Sequence, residues 1–296
     1  MDAARDTGPG RLVIAGLGYS GMAVARAALA AGWRVTGTAR DPAAVAPPPG
    51  IALCRFDAAA KAMRAATHLL VTAPPNEAGD PVLAAHRAAV ADVPALRWIG
   101  YLSTTGVYGD CNGAWVEEGT PPAPAQPRTR RRRQAELAWA EFAATRAVDL
   151  FRVGGIYGPG RSGFDDLRAG TARRVIKPGH AFGRIHRDDI ALAVLAAMAQ
   201  HRSPGLRVLH LVDDEPAESA AVVEEAARLL GVAPPPAIPF DEAQRTMSPL
   251  ARSFWAESRR VANAATKAAL GIAWRYPSYR EGLAAILREE RGEGPA

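Results

Sequence analysis

Cysteine is scarce in this chain: Cys54 and Cys111 lie far apart, with no C-x-x-C and no histidine cluster beside them. That excludes a disulfide framework and a structural zinc site, and no metal site is expected. Long apolar runs are missing as well. No stretch approaches the roughly 18 uncharged apolar residues of a spanning helix, so no membrane partner is expected. The opening residues, MDAARDTGPG, hold neither a basic stretch nor an apolar one, which argues against a secretory signal. A cytoplasmic protein is the expectation. Lysine is rare too. The net charge of +6 comes almost wholly from arginine, and the run Arg128-Thr129-Arg130-Arg131-Arg132-Arg133 supplies five of the charges. Aromatic residues make up 6% of the chain and none interrupts that run. Bases stack on aromatic rings, so the basic balance alone does not point to nucleic acid.

What is present suits a large α/β protein. The chain has 296 residues, 48% hydrophobic and 22% charged, enough for a sizeable core in one domain or a main domain with a small lobe. Short apolar runs bounded by glycine or proline predict buried strands at 11–15, 33–38, 51–56, 68–72 and 97–103. Helices are predicted between them at 22–31, 58–66 and 81–91, the first closed by Gly32. This alternation argues for a parallel, doubly wound sheet. From 104 to 127 glycine and proline predict a long loop of the kind that carries function. Beyond it come a helix at 130–146, strands at 148–153 and 207–212, and helices at 187–200, 218–230, 264–270 and 279–290. The prolines of 234–239 read as a linker, and Asn263 as the N-cap of the helix that follows it.

The first predicted strand runs straight into Gly16-Leu17-Gly18-Tyr19-Ser20-Gly21, with a helix after it. Such a G-x-G-x-x-G is weak alone and informative in this strand–helix context. Gly16 permits the tight turn, Gly18 lets a pyrophosphate approach bare backbone, and Gly21 lets the helix pack on the strand. The helix N-terminus, with Tyr19 and Ser20, then faces the phosphates. At the end of the second strand an NAD site wants an acid for the ribose 2′-hydroxyl. The sequence offers Thr36-Gly37-Thr38-Ala39-Arg40 instead. A guanidinium suits a 2′-phosphate, with Thr38 as a hydroxyl donor, so NADP is favoured and NAD left open. Asp41, one residue on, is the acid that a small shift would restore.

Further stretches recur in order: Tyr101-Leu-Ser-Thr-Thr-Gly-Val-Tyr-Gly109, Arg152-Val-Gly-Gly-Ile-Tyr-Gly-Pro-Gly160 and Arg184-Ile-His-Arg-Asp-Asp-Ile-Ala191. With the glycine turn they resemble the extended short-chain dehydrogenase/reductase superfamily, the NAD(P)-dependent epimerase/dehydratases, and within it the atypical bacterial branch of the YeeZ type. The resemblance covers nearly the whole chain. It implies a doubly wound Rossmann sheet in a dinucleotide-binding core at 1–153, with elements at about 186–212 returning to it. Residues 154–296 would then form mainly a small C-terminal substrate lobe and the terminal helices. Further cofactor contacts are implied at Asp57, Thr72, Ala73, Pro74, Ser103, Arg132, Gly158 and Pro159. The substrate class implied is a small molecule such as a nucleotide sugar, with a homodimer left open.

The family also implies a Ser/Thr-Tyr-Lys trio: a phenol that moves a proton, an amine that lowers its pKa and holds the ribose, and a hydroxyl that orients the substrate. Thr104 falls at the hydroxyl position, with Ser103 and Thr105 beside it. Counting back from Glu136 puts Arg128 where Tyr is expected and Arg132 where Lys is expected. A guanidinium cannot be deprotonated near neutral pH and cannot replace a phenol. Arg132 can still hold ribose or phosphate. Tyr108 is the nearby phenol, and the resemblance gives it a packing role beneath cofactor or substrate. His186, Asp188 and Asp189 are expected to cap a helix and anchor a loop. An NADP-dependent oxidoreductase, epimerase or dehydratase is the leading expectation. A non-catalytic dinucleotide-binding regulator or sensor is the alternative, with nucleic-acid binding through the arginine run behind both.

Overall fold

The computed structural model describes residues 9–293. At its centre is a seven-stranded parallel sheet built from β1 (Arg11–Ala15), β2 (Arg34–Ala39), β3 (Ile51–Arg55), β4 (His68–Val71), β5 (Trp98–Thr104), β6 (Ala147–Val153) and β7 (Gly205–Leu211). Their order is β7-β6-β5-β4-β1-β2-β3. Leu12 of β1 stands opposite Val35 of β2 on one side and His68 of β4 on the other. The direction of winding therefore reverses between β1 and β4. Doubly wound sheets bind ligands beyond the carboxyl ends of the strands at such a switch point. The fold is the one the alternation predicts.

The chain divides into two compact units. The first takes the described residues up to Thr104 with Arg130–Arg152 and Ile190–Leu209. The second takes Thr105–Thr129, Val153–Asp189 and the described residues from His210 on. In the first unit, alternate strand residues line one face of the sheet: Val13 and Ala15, Leu69 and Val71, Ile99 and Tyr101, Val148 and Leu150. Strand side chains alternate with period two, so each such pair points the same way. Val82, Leu83, Ala89 and Val90 of α3 (Pro81–Ala91) and Ala135 and Trp139 of α4 (Pro127–Ala140) cover that face. Trp139 is wholly buried and donates its indole N–H to Asp80 Oδ2 at 3.0 Å. The other oxygen of Asp80 caps α3 through the N–H groups of Val82 and Leu83.

The second unit has its own cluster of Tyr157, Phe164, Ala226, Tyr279, Leu283 and Ile286. Short parallel strand pairs tie it together, Gly155–Tyr157 with Arg184–His186 and Ala237–Pro239 with Arg174–Ile176. The second pair corrects the linker expected at 234–239, whose last residues form a strand despite their prolines. A Pro can close such a strand where its missing N–H is not needed. The loop expected at 104–127 holds a 3₁₀ turn, Thr105–Tyr108, and a strand, Trp115–Val116. α4 begins at Pro127, three residues before the expected start, because proline suits the first turn of a helix. Asn263 precedes the helix Ala264–Leu270 but does not cap it with its side chain; its amide donates to Val212 O, Asp213 O and Asp214 Oδ1. Among the described residues no helix is long and apolar enough to cross a membrane.

Candidate functional site

The glycine turn after β1 is held from two strands that the sequence places far from it. The N–H of Gly16 donates to Thr38 Oγ1 at 3.0 Å, and the Thr72 hydroxyl donates to Gly16 O. Gly16 adopts a φ of +107°, and a Cβ there would meet Thr72 Oγ1 at 2.8 Å and Ala73 N at 3.0 Å. At Gly21 a Cβ would meet Gly16 O at 2.6 Å, so only glycine lets α1 (Tyr19–Ala30) start this close to β1. Gly18 differs. A Cβ there would meet nothing within 4 Å, and its φ of −88° is open to any residue. Its backbone stays bare because the space beyond it is free, which is what a pyrophosphate requires. The N-terminus of α1, where Tyr19 and Ser20 lie, has no side-chain cap and no acid in its first turn. Its positive dipole end therefore meets no carboxylate of its own first turn. Gly37 completes the turn's support: a Cβ there would strike the Leu17 side chain at 2.6 Å. Sequence reasoning missed that role because the two meet only through the β1–β2 pairing.

Thr38 is fully buried and braces the glycine turn, rather than standing open as a ligand donor. Arg40 follows the end of β2 and is exposed. Asp41 accepts from Ala43 N at 3.1 Å and caps the 3₁₀ turn Pro42–Ala44. Asp57 is exposed and chelated by Arg55 at 3.2 and 2.9 Å, and that guanidinium holds its carboxyl below the usual range. Ala73 N donates to Ala15 O at 3.0 Å, which places the Thr72–Ala73–Pro74 segment just past the end of β1.

At the end of β5, Ser103 donates to Glu136 Oε1 at 2.7 Å. Glu136 of α4 is 0% exposed and also accepts from Arg152 at 3.0 and 2.9 Å and from Arg133 at 2.9 Å. Arg132 donates to the Tyr101 hydroxyl at 3.2 Å and to Leu102 O at 3.0 Å. The Tyr101 phenol is pushed far up by burial. Thr104 ends β5 half-buried.

The remaining expected residues belong to the second unit. Thr105 and Tyr108 open and close the buried 3₁₀ turn. The Tyr108 hydroxyl lies 2.5 Å from His210 Nε2 and 3.1 Å from Glu117 O. No local signal reveals His210, since 102 residues separate the pair. The Arg128 guanidinium lies 4.6 Å over the Phe254 ring. Gly158 has a φ of +155° and bridges to Arg161, and Pro159 O accepts from Arg187 at 3.3 Å. Asp189 accepts from the N–H groups of Arg275 and Tyr276, and burial pushes its carboxyl up to about 6. It anchors that loop as its sequence position suggests. His186 is brought down to about 4 by burial and accepts from Asp188 N at 3.2 Å.

Sheet order and glycine turn together define a Rossmann-type α/β protein. No family model matches the chain. It is 30% identical to the protein YeeZ of Escherichia coli K12 over 244 residues, 76% of this chain and 85% of YeeZ. The chain belongs to the extended short-chain dehydrogenase/reductase family, in its atypical YeeZ-like branch. It is also 34% identical over 155 residues to a 3-diazoavenalumate denitrifying reductase of Streptomyces, spanning 50% of that protein's length. Among solved structures, a conserved protein of unknown function from Silicibacter pomeroyi matches with a TM-score of 0.87 and 42% identity, over 95% of this chain and 99% of that one. MoeE5, in complex with UDP-glucuronic acid and NAD, matches at 0.76 and 20% identity, over 96% of this chain and 100% of its own. The human epimerase family protein SDR39U1, with NADPH, matches at 0.72 and 18% identity, over 93% and 98%. These last two share the fold.

Proposed function

We propose that the chain is an NADP-binding oxidoreductase of the epimerase/dehydratase type that works without a Tyr-x-x-x-Lys pair. The observation that carries this is the bare Gly18 backbone, with open space where a Cβ would stand, at the uncapped start of α1. Gly16, Gly18, Tyr19, Ser20 and Gly21 would hold the pyrophosphate. Arg40 would take the 2′-phosphate, because Asp41 already caps its own turn and Thr38 is buried under Gly16. Thr72, Ala73 and Pro74 would border the same edge, with Asp57 toward the base and Arg132 toward the nicotinamide ribose. When bound, the nicotinamide supplies the hydride.

The absent trio is argued from the register of α4. Glu136 points inward from α4 to meet Arg152, which supports reading Arg132 and Arg128 at the Lys and Tyr positions. Ser103 is engaged by Glu136, so Thr104 would orient the substrate carbonyl, with Thr105 shaping the turn behind it. Guanidiniums at 128 and 132 favour an anionic small molecule, of which the nucleotide sugar held by MoeE5 is one kind. A cytoplasmic location and a substrate lobe within 154–296 belong to the same reading.

The test is thermal denaturation with NADPH and with NADH. Ligand at 100 Kd should add about 2.7 kcal/mol of stability. NADPH should stabilise more than NADH; no shift with either would overturn the proposal. The engagement of Ser103 favours one second reading, a dinucleotide-binding sensor. It predicts the same shifts with no NADPH oxidation for any carbonyl or nucleotide-sugar substrate.

A further inference from the structure

Arg132 is held to the sheet by one of its nitrogens. Nη1 has two N–H groups, and they donate to the Tyr101 hydroxyl oxygen at 3.2 Å and to Leu102 O at 3.0 Å. A guanidinium has five N–H groups in a fixed plane. The three on Nε and Nη2 make no hydrogen bond among the described residues, and the side chain is half-buried. Its neighbour Arg133 is used differently, donating to the buried Glu136 at 2.9 Å.

The anchor is firm. Tyr101 is 0% exposed, and its ring stacks on Trp139 with centroids 6.4 Å apart. Trp139 is tied in turn to Asp80 by its indole N–H at 3.0 Å. Burial pushes the Tyr101 phenol far up, so it meets Arg132 as a neutral hydroxyl. The Arg132 Cζ also lies 5.7 Å from the Tyr101 ring centre, close enough for cation and ring face to attract. Tyr101, Leu102, Arg132 and the glycine turn all belong to the first unit. Leu102 is two residues from the carboxyl end of β5, and β4 is the strand between β5 and β1. Strands about 4.8 Å apart put the ends of β5 and β1 about 10 Å from one another along the sheet edge. A dinucleotide laid across the switch point between β1 and β4 reaches both.

We propose that Tyr101 is a positioning residue that aims Arg132 at the nicotinamide ribose of the bound dinucleotide. The inference rests on the reading that the chain binds NADP with Arg132 in the place of the family's lysine. A lysine needs no such support, because an ammonium is a compact point charge with freely turning donors. A guanidinium is planar, and its donors meet an acceptor only when the plane is turned correctly. Tyr101 and Leu102 fix that plane through Nη1 and leave Nε and Nη2 to donate to the ribose hydroxyl oxygens. Because the side chain is ordered before the ligand arrives, less rotamer freedom is lost on binding.

The test is calorimetric titration with NADPH and with adenosine 2′,5′-bisphosphate, which lacks the nicotinamide ribose. Tyr101→Phe keeps the ring and removes the acceptor. It should weaken NADPH binding roughly three- to tenfold, the range for freeing one long side chain, and leave bisphosphate binding unchanged. Arg132→Ala should weaken NADPH binding at least as much, and adding Tyr101→Phe to it should bring no further loss. Unchanged NADPH affinity in Tyr101→Phe overturns the inference. So does an equal loss for the bisphosphate, or an equal loss in the Arg132→Ala background. Should Tyr101→Phe fail to fold, the Arg132 Nε–H order parameter of the free parent decides: a value above about 0.6 supports the inference and a lower one overturns it. A parent that binds neither nucleotide defeats the functional reading and takes the inference with it. A parent that binds both, matched by Tyr101→Phe, defeats the inference alone.

Discussion

Glu136 in the first unit and Asp213 in the second are both carboxyl groups shut away from solvent, at 0% and 1% exposure. Glu136 receives hydrogen bonds from Ser103, Arg133 and Arg152. No side chain donates a hydrogen bond to either oxygen of Asp213 among the described residues, and burial pushes that carboxyl up to about 8 against the opposing pull of Arg184. The contrast extends further. Asp80, Asp149, Thr38 and Thr72 of the first unit are all bonded within it. In the second, the Nε2 of His186, Glu257 Oε1 and Trp274 Nε1 lie buried without a hydrogen bond among the described residues. A buried charge is tolerated either by partners or by neutralisation, and the two units have taken different routes. In the first the buried carboxylates Asp80, Glu136 and Asp149 are each held by partners. The second retains polar chemistry that its own side chains do not satisfy.

The comparison can be broken most directly at Glu136. Glu136→Ala leaves Arg152, 2% exposed, without its carboxylate. Breaking a buried pair from one side costs about 3–5 kcal/mol, read as a lower denaturant midpoint at unchanged slope. A loss under about 1 kcal/mol would show that the network does not support the first unit.

Next is Gly18→Val. The valine's φ is unstrained and its Cβ meets no protein atom, so the fold should hold while the new methyl groups fill the pyrophosphate's space. The variant should melt like the parent and lose the about 2.7 kcal/mol of NADPH stabilisation expected at 100 Kd. Gly16→Ala should instead lower stability, because its Cβ strikes Thr72 and Ala73.

Acid–base dependence sharpens the other half. Asp213 is held protonated up to about pH 8 when folded but ionises near 3.8 when unfolded. The folded state therefore binds the extra proton, and the stability this contributes is lost as pH rises toward 8. Asp189, raised to about 6, acts in the same direction at lower pH. His186 and His68, lowered to about 4 and about 3 from 6.5, act the opposite way below 6.5. Between pH 6.5 and 8 the slope reports mainly Asp213 and should approach about 1.4 kcal/mol per pH unit. Asp213→Asn should flatten it; a slope that persists in the variant assigns it elsewhere. The smallest effect is expected at Arg40→Ala, which should erase an NADPH preference of about tenfold, or 1.4 kcal/mol, in parallel titrations with both cofactors.

Several elements are legible in the sequence. The strand Arg11–Ala15 and the helices Pro81–Ala91 and Tyr279–Glu290 begin and end where apolar runs, prolines and caps place them. The glycine turn was legible because its roles are local, set by φ, by bare backbone and by the helix that starts there. The partners of the expected site residues were not. Ser103 stands in the sequence as a candidate catalytic hydroxyl, and the fold gives it to Glu136, 33 residues away. Arg132 stands in the sequence as a candidate ligand cation, and part of its guanidinium is taken by Tyr101 and Leu102.

Sequence alone thus determined the alternation of strands and helices and the glycine turn, since each is written in neighbouring residues. Tertiary structure alone decided what those groups touch. Thr38 and Thr72 clamp Gly16 across 22 and 56 residues, and His210 reaches Tyr108 across 102. Hydrogen bonds and burial depend on distance in space, and a parallel sheet with long crossovers brings together residues whose separation along the chain carries no trace of their contact.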